Sequence, residues 1–374
     1  MAKFIMVGCD LHDKSMLLKI ASNDDGPAVR PVVRSWGTDR AARQAMIRDL
    51  QTRAGRSGAQ RVVFAYEACG FGFRLHDELM AVGIEAHVLA PSKMERSAKH
   101  RKGKTDEKDA GKILDIVRSN VLAGVEMPSV WVPDLATRDD RELLRRRLAV
   151  AEDSSRAQTR VRWLLKGNGI EGQARDGWTL DYWRWLEQLA GGVLAPGAAG
   201  ALMSLMRQIQ WHQEEVVRLN AQVLALSKTP RYAPVVAAVR RRKGVGLLTA
   251  MVFLTEVGDM GRFKNRQQVG AYLGLTPSAY ESGENDDHKG HITRQGPSRV
   301  RKVLCQAVWS RLRVDEHERK AYDRIVSRNP KHKKIAVVAR MRTLGVMMWH
   351  DALEAQQAMR AWQIQSAGVK AVIA

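Results

Sequence analysis

Residues 3 to 9 form an apolar run that ends in Asp10, and residues 15 to 21 form a second one after the polar link Leu11-His12-Asp13-Lys14. Two such runs across a short polar link read as a β-hairpin. A third β-rich piece, Val29 to Trp36, precedes a helical segment from about Asp39 to Thr52. Next come a strong strand (Val62, Val63, Phe64, Ala65, Tyr66), a helix from about Phe73 to Val82, and a short strand from Ile84 to Leu89. Asp106 then opens a helix with the apolar spacing Ala110, Ile113, Leu114, Val117, one face of a 3.6-residue period. The predicted order is β-β-β-α-β-α-β-α.

That order places chemistry. In a mixed sheet whose first three strands form a meander, a right-handed crossover brings the fourth strand in beside the first. Asp10 and Glu67 stand at the C-terminal ends of those two strands, where open α/β sheets place their sites. Asp106 and Asp109 project from the first turn of the following helix, onto one face. Taken singly, Asp10 could cap a turn, Glu67 could pair with Arg74, and Asp106 could cap its helix. Together, the converging carboxylates Asp10, Glu67, Asp106 and Asp109 need cations to neutralise them. Oxygen ligation with open positions suits Mg²⁺ or Mn²⁺, and a pair of such ions can serve phosphodiester cleavage.

Between the last strand and that helix lies a basic stretch, residues 93 to 104, with Lys93, Arg96, Lys99, Arg101, Lys102 and Lys104. It reads as a strap over a phosphate backbone. Residues 121 to 137 hold Pro128 and Pro133 and read as a linker. A long Arg-dense helix from about Arg138 to Lys166 follows, closed by Gly167, Asn168 and Gly169. The Trp178, Trp183 and Trp185 patch reads as core. Leu202, Leu205, Ile209, His212, Val216, Leu219, Val223 and Leu226 recur at spacings of three and four, a heptad seam. Residues 138 to 228 therefore read as a helical hairpin or coiled coil that dimerises the protein, with an intrachain bundle as the alternative. His212 reads as a register-setting polar residue. The chain divides into regions 1–130, 131–232 and 233–374.

Beyond Pro230 and Pro234, Arg242, Lys243, Gly244 and Gly246 precede an apolar helix. A Gly-x-Gly turn between helices resembles a helix-hairpin-helix module, whose backbone amides grip phosphate, and Lys264 downstream extends the basic surface. Residues 274 to 294 begin apolar and break into a polar loop. Ser278 and Ser282 are exposed hydroxyl candidates there, with His288, Lys289, His291 and Arg294 placed to hold a phosphate near them.

Composition narrows the partner. The 374 residues carry a formal charge of +21, which implies a polyanion, with nucleic acid ahead of a membrane surface. No signal segment and no run of about 18 apolar residues occurs, so the chain is expected to be soluble and intracellular. Its three cysteines lack CxxC spacing, which argues against a disulfide framework or a zinc site.

Gly8-Cys-Asp10-Leu-His, Tyr66-Glu67, Lys104-Thr-Asp106-Glu-Lys-Asp109-Ala, Phe263-Lys-Asn265 and Gly274-Leu-Thr-Pro-Ser-Ala-Tyr-Glu-Ser282-Gly occur in this order. On these blocks the chain resembles the DEDD-type transposases of the insertion-sequence family numbered 110, with the related site-specific DNA invertases. The resemblance implies an α/β plus α protein. An RNase H-like (RuvC-like) domain binds Mg²⁺ through Asp10, Glu67, Asp106 and Asp109. A coiled-coil middle leads to a mainly helical C-terminal transposase domain. In that domain Ser282, with Ser278 as the fallback, forms a covalent phosphoserine link to cleaved DNA. Glu281 stands before the serine where the family often has a small or polar residue. The resemblance also implies a homodimer or homotetramer, in which one protomer's carboxylates meet another's serine. It further implies double-stranded DNA at element ends and target, a structured guide RNA in some members, and a bacterial, cytoplasmic, nucleoid-associated location. The alternative is a metal-dependent junction nuclease that uses water, with Ser282 structural.

Overall fold

The first two apolar runs form β1 (Phe4–Leu11) and β2 (Ser15–Ser22), paired antiparallel with Gly8 opposite Lys19. The computed structural model describes residues 3–25, 29–94, 105–171, 177–279 and 289–373. Within it the chain divides into two units, Met1–Val132 and Pro133–Ala374.

In the first unit β3 (Val32–Gly37) continues the meander on β2. After α1 (Arg40–Ser57) the chain returns as β4 (Arg61–Glu67), parallel to β1, with Cys9 opposite Tyr66. Helix α2 (Arg74–Met80) leads to β5 (Glu85–Leu89), parallel to β4. Among the described residues the mixed sheet has five strands in the order β3-β2-β1-β4-β5. The expected placement of the fourth strand beside the first is therefore found. The predicted linker adds a bridge, Leu89 to Ser129, along the edge of β5.

Strand alternation sorts the side chains onto two faces. Val7, Cys9, Phe64 and Tyr66 pack with Met46, Ile47 and Leu50 of α1 and with Leu75 and Leu79 of α2. Met6, Val63, Ala65 and Leu89 pack with Ile113, Leu114 and Val117 of α3 (Asp106–Ala123) on the other face. Burial of each of those three α3 side chains contributes roughly 1.5–3 kcal/mol, which anchors the helix. Its start is set by Thr105, whose hydroxyl accepts from the Lys108 N–H at 3.4 Å, and its end by Gly124 at φ 67°.

Among the described residues the second unit is helical apart from a small hairpin. Helix α4 (Leu135–Gly167) packs against α6 (Pro196–Ser227), with α5 (Leu180–Gly192) beside them. Ala157, Val161 and Leu165 of α4 meet Leu202, Met206 and Ile209 of α6 and Tyr182, Leu186 and Leu189 of α5. The heptad seam thus buries Leu202, Ile209, His212, Leu219 and Val223 within one chain. Leu205, Val216 and Leu226 of the same seam are half-buried, and α4 is the neighbour in the chain against which α6 packs. Trp178, Trp183 and Trp185 gather around Tyr182 at the edge of this core.

Then follow α7 (Ala233–Arg240), α8 (Leu247–Val257), α9 (Arg266–Tyr272), the strands β6 (Pro277–Ala279) and β7 (Lys289–Ile292), α10 (Ser298–Val314), α11 (Glu316–Arg328) and α12 (Lys333–Ile373). From Ala250 to Val257 every residue of α8 is buried, as expected of a helix apolar on all sides. Two arginines of the Arg-dense helix hold its C-terminal end. Arg141 donates to the Thr255 and Glu256 carbonyls at 2.7 and 2.8 Å, and Arg145 grips the Glu256 carboxylate at 2.9 and 3.1 Å. Those side chains are structural. No helix among the described residues is long and apolar enough to cross a membrane.

Candidate functional site

The site is built where β1 and β4 end. Asp10 and Glu67 each follow the register pair Cys9 and Tyr66, so they are the next residues on adjacent parallel strands. By alternation both share the face that carries Met6, Gly8, Val63 and Ala65, which is the face of α3. Helix α3 lies very low on that face because position 8 is glycine. A β-carbon there would stand 2.3 Å from the Leu114 nitrogen and 2.4 Å from the Ala110 oxygen. This close approach brings the first turn of α3, with Asp106 and Asp109, up to Asp10.

A histidine completes the cluster. Asp10, His12 and Asp106 each offer a ligand atom, and these atoms lie within 4.8 Å of one another. His12 Nε2 is 3.1 Å from Asp10 Oδ2 and 3.4 Å from Asp106 Oδ1. Asp10 is the most sheltered of the three. Burial, and behind it the carboxylates of Asp106 and Asp109, push the Asp10 carboxyl above its ordinary range, while His12 pulls the other way.

Asp109 stands one turn along α3 and is half-buried, with Lys112 Nζ donating to its Oδ1 at 2.6 Å. Glu67 is exposed at the end of β4 and, like Asp109, lies outside the tight group of three among the described residues. The simpler roles open to these acids belong to other residues. Thr105, not Asp106, caps α3, and Arg74 donates to Glu78 at 3.1 Å rather than to Glu67. Lys19, opposite Gly8, steadies the same turn through Glu107 at 3.1 Å.

The sequence pattern does not single out His12 among the candidate ligands. The signal available is the closeness of His12 to Asp10, two residues on and just past the end of β1. Two carboxylates and an imidazole at these distances fit a divalent cation, whose ligand atoms in an octahedral array stand roughly 3 Å apart.

The basic residues fall into different environments. Lys93 and Lys264 are exposed. Arg242 is engaged by Asp351, with two hydrogen bonds of 2.7 Å. Lys243 is exposed, and its carbonyl accepts from Arg311 at 3.1 Å. Gly244, at φ 78°, lies against α10, where a β-carbon would meet Arg311 Cγ at 2.6 Å. Close helix packing accounts for that glycine. Gly246 is exposed as the N-cap of α8, and no side chain caps the first amides of that helix. Arg294 is exposed with φ 54°, a left-handed conformation for a side-chain-bearing residue.

Ser278 donates its hydroxyl to the His291 carbonyl at 2.9 Å, an ordinary bond across the β6–β7 hairpin. Ser282, Glu281 and His288 lie outside the described residues, as do Arg96, Lys99, Arg101, Lys102 and Lys104. Lys289 opens β7.

Residues 236–323 match the family described as Transposase IS116/IS110/IS902 family. The chain is 31% identical over 351 residues to "Putative transposase y4qE" of Sinorhizobium fredii, covering 87% of this chain and 83% of that protein. It is 30% identical over 300 residues to "Putative transposase y4rJ" of the same organism, covering 75% and 73%. It is 25% identical over 248 residues to "Transposase for insertion sequence element IS1533" of Leptospira borgpetersenii, covering 65% and 69%.

Proposed function

The chain belongs to the IS116/IS110/IS902 family of transposases, and from that premise we propose that it cleaves and rejoins DNA by metal-dependent phosphodiester transfer through a covalent serine link. The first unit is read as RNase H-like, on the strength of its β3-β2-β1-β4-β5 sheet and the acids at the ends of β1 and β4. The observation that carries the proposal is the gathering of Asp10 and Asp106, far apart in sequence, within ligand distance of one another.

Asp10 and Asp106 would hold the cation, with Glu67 and Asp109 close by on the same face. A bound Mg²⁺ or Mn²⁺ would supply charge neutralisation at the phosphodiester and a lowered pKa for an attacking oxygen. The residues of the chain do the rest. Lys112 and His12 keep the acid cluster compact, and Gly8 sets its height above the sheet.

In this reading the Ser282 oxygen bonds to phosphorus, the bond from phosphorus to the departing DNA oxygen breaks, and the hydroxyl proton ends on that oxygen. One phosphodiester replaces another, so a DNA hydroxyl can reverse the step without an outside energy source. Lys93, Lys243, Lys264 and the N-terminal turn of α8 are read as phosphate contacts. A guide-type RNA from the element's flanks and an even-numbered assembly of protomers belong to the same proposal.

The test uses purified protein, divalent metal, labelled element-junction DNA and RNA transcribed from the flanks, resolved on denaturing gels with and without protease. Wild type should give a protease-sensitive slow band that Ser282→Ala and Asp106→Asn both lack. Cleaved DNA without attached protein that persists in Ser282→Ala would instead establish a nuclease that uses water.

A further inference from the structure

Resting on the reading that Asp10 and Asp106 hold a divalent cation, we propose that His12 is a nitrogen ligand of that cation and that it tilts the site toward Mn²⁺ over Mg²⁺. His12 is the first residue past β1, two after Asp10, and its ring reaches the Asp10 carboxylate. The main chain at His12 is well anchored. Its N–H donates to the Ser15 carbonyl at 2.9 Å, and the Thr38 hydroxyl braces the next residue by donating to the Asp13 carbonyl at 2.6 Å.

The ring itself stands between the two acids, 3.1 Å from Asp10 and 3.4 Å from Asp106. Those separations are close to the roughly 3 Å between neighbouring ligand atoms around an octahedral cation. A cation seated among the three atoms meets two carboxylate oxygens and one imidazole nitrogen with little side-chain movement. His12 is half-open to solvent, so the ring can turn its Nε2 toward the ion without breaking packed contacts.

The nitrogen has a chemical consequence. Mg²⁺ dehydrates reluctantly and favours oxygen, whereas imidazole suits transition ions. A purely carboxylate set carries no such bias. With His12 included, Mn²⁺ gains a ligand that contributes little to Mg²⁺.

Untagged full-length protein, titrated with Mn²⁺ and followed by electron paramagnetic resonance, tests this without any need for catalysis. Pulsed spectra of wild type should show imidazole ¹⁴N coupling to bound Mn²⁺. His12→Ala should lose the coupling and bind Mn²⁺ about tenfold more weakly, with Mg²⁺ competition changed far less. Mn²⁺ that binds and is lost in Asp106→Asn, yet shows no nitrogen coupling in wild type, would overturn the role of His12 while leaving the carboxylate site standing. Coupling that persists in His12→Ala would overturn it as well. Absence of any Asp106-dependent Mn²⁺ binding would remove both readings together. Absence of coupling in the wild-type spectrum overturns the role by itself; where His12→Ala folds poorly, His12→Gln is the second variant and should likewise lose the coupling.

Discussion

Gly8 on β1 and Leu114 on α3 approach so closely that a methyl group on Gly8 would lie 2.3 Å from the Leu114 backbone nitrogen. Backbone cannot step aside as a flexible side chain can, so this one glycine sets how low α3 sits on the sheet. The height of α3 in turn decides whether Asp106 reaches Asp10.

Gly8→Ala should therefore lift or tilt α3 and destabilise the first unit by about 3 kcal/mol, at the upper end of overpacking costs. Urea unfolding would report the loss. Residual folded protein should bind divalent metal more weakly, because the acids are drawn apart. An unchanged unfolding midpoint would contradict the close approach.

Asp10→Asn and Asp106→Asn each remove an anionic ligand while keeping the side chain's shape. Each should cut DNA cleavage by about a hundredfold or more. DNA binding in a gel-shift assay should be preserved, because the basic surface is untouched. Chelation of divalent ions in wild type should reproduce the cleavage defect. A parallel loss of DNA binding would point to misfolding instead.

Arg242 and Lys264 should separate structure from DNA contact. Arg242 forms two bonds to Asp351, which is nearly buried. Arg242→Ala removes both hydrogen bonds to that carboxylate and should lower stability by about 1.5 kcal/mol, seen as a fall in melting temperature. Exposed Lys264 should matter little to stability. Lys264→Ala should weaken DNA binding and reduce the salt dependence of log K by about one unit of slope.

Glu318 makes the stability of the second unit depend on acid. Burial raises its carboxyl, but hydrogen bonds from Arg340 at 2.6 and 3.1 Å and from Arg311 at 2.9 Å outweigh that and hold it below the usual range. A depressed folded value means the stabilisation is present above the unfolded value of about 4.3. It is lost as pH falls through the folded value. Unfolding midpoints measured from about pH 6 down to about pH 3 should fall more steeply in wild type than in Glu318→Gln. Equal slopes would remove Glu318 as the cause.

Much of the first unit was legible in the chain itself. Apolar alternation and the turn residues between runs are local properties, and they place β1, β2, β4, β5 and α3 close to their observed bounds. The strand order followed from connection rules and set Glu67 beside Asp10 at adjacent strand ends, whereas the tight group among the described residues holds Asp10 and Asp106 with His12 and leaves Glu67 and Asp109 outside. The second unit was less legible because a heptad stripe states that a face will be covered and not by what. The same spacing serves a second copy or a neighbour in the same chain, and here α4 is that neighbour.

The sequence by itself determined the periodicities, the caps, the basic charge and the family, since each depends on residues near one another or on totals. Only the tertiary structure decided which charged groups are already satisfied. It tied Arg141 and Arg145 to the end of α8, Arg242 to Asp351, and Gly244 to α10. It also placed His12 between Asp10 and Asp106. Hydrogen bonds and close approaches of this kind are set by distances of a few ångströms between residues that mostly lie far apart in the chain, and those distances exist only once the chain has folded.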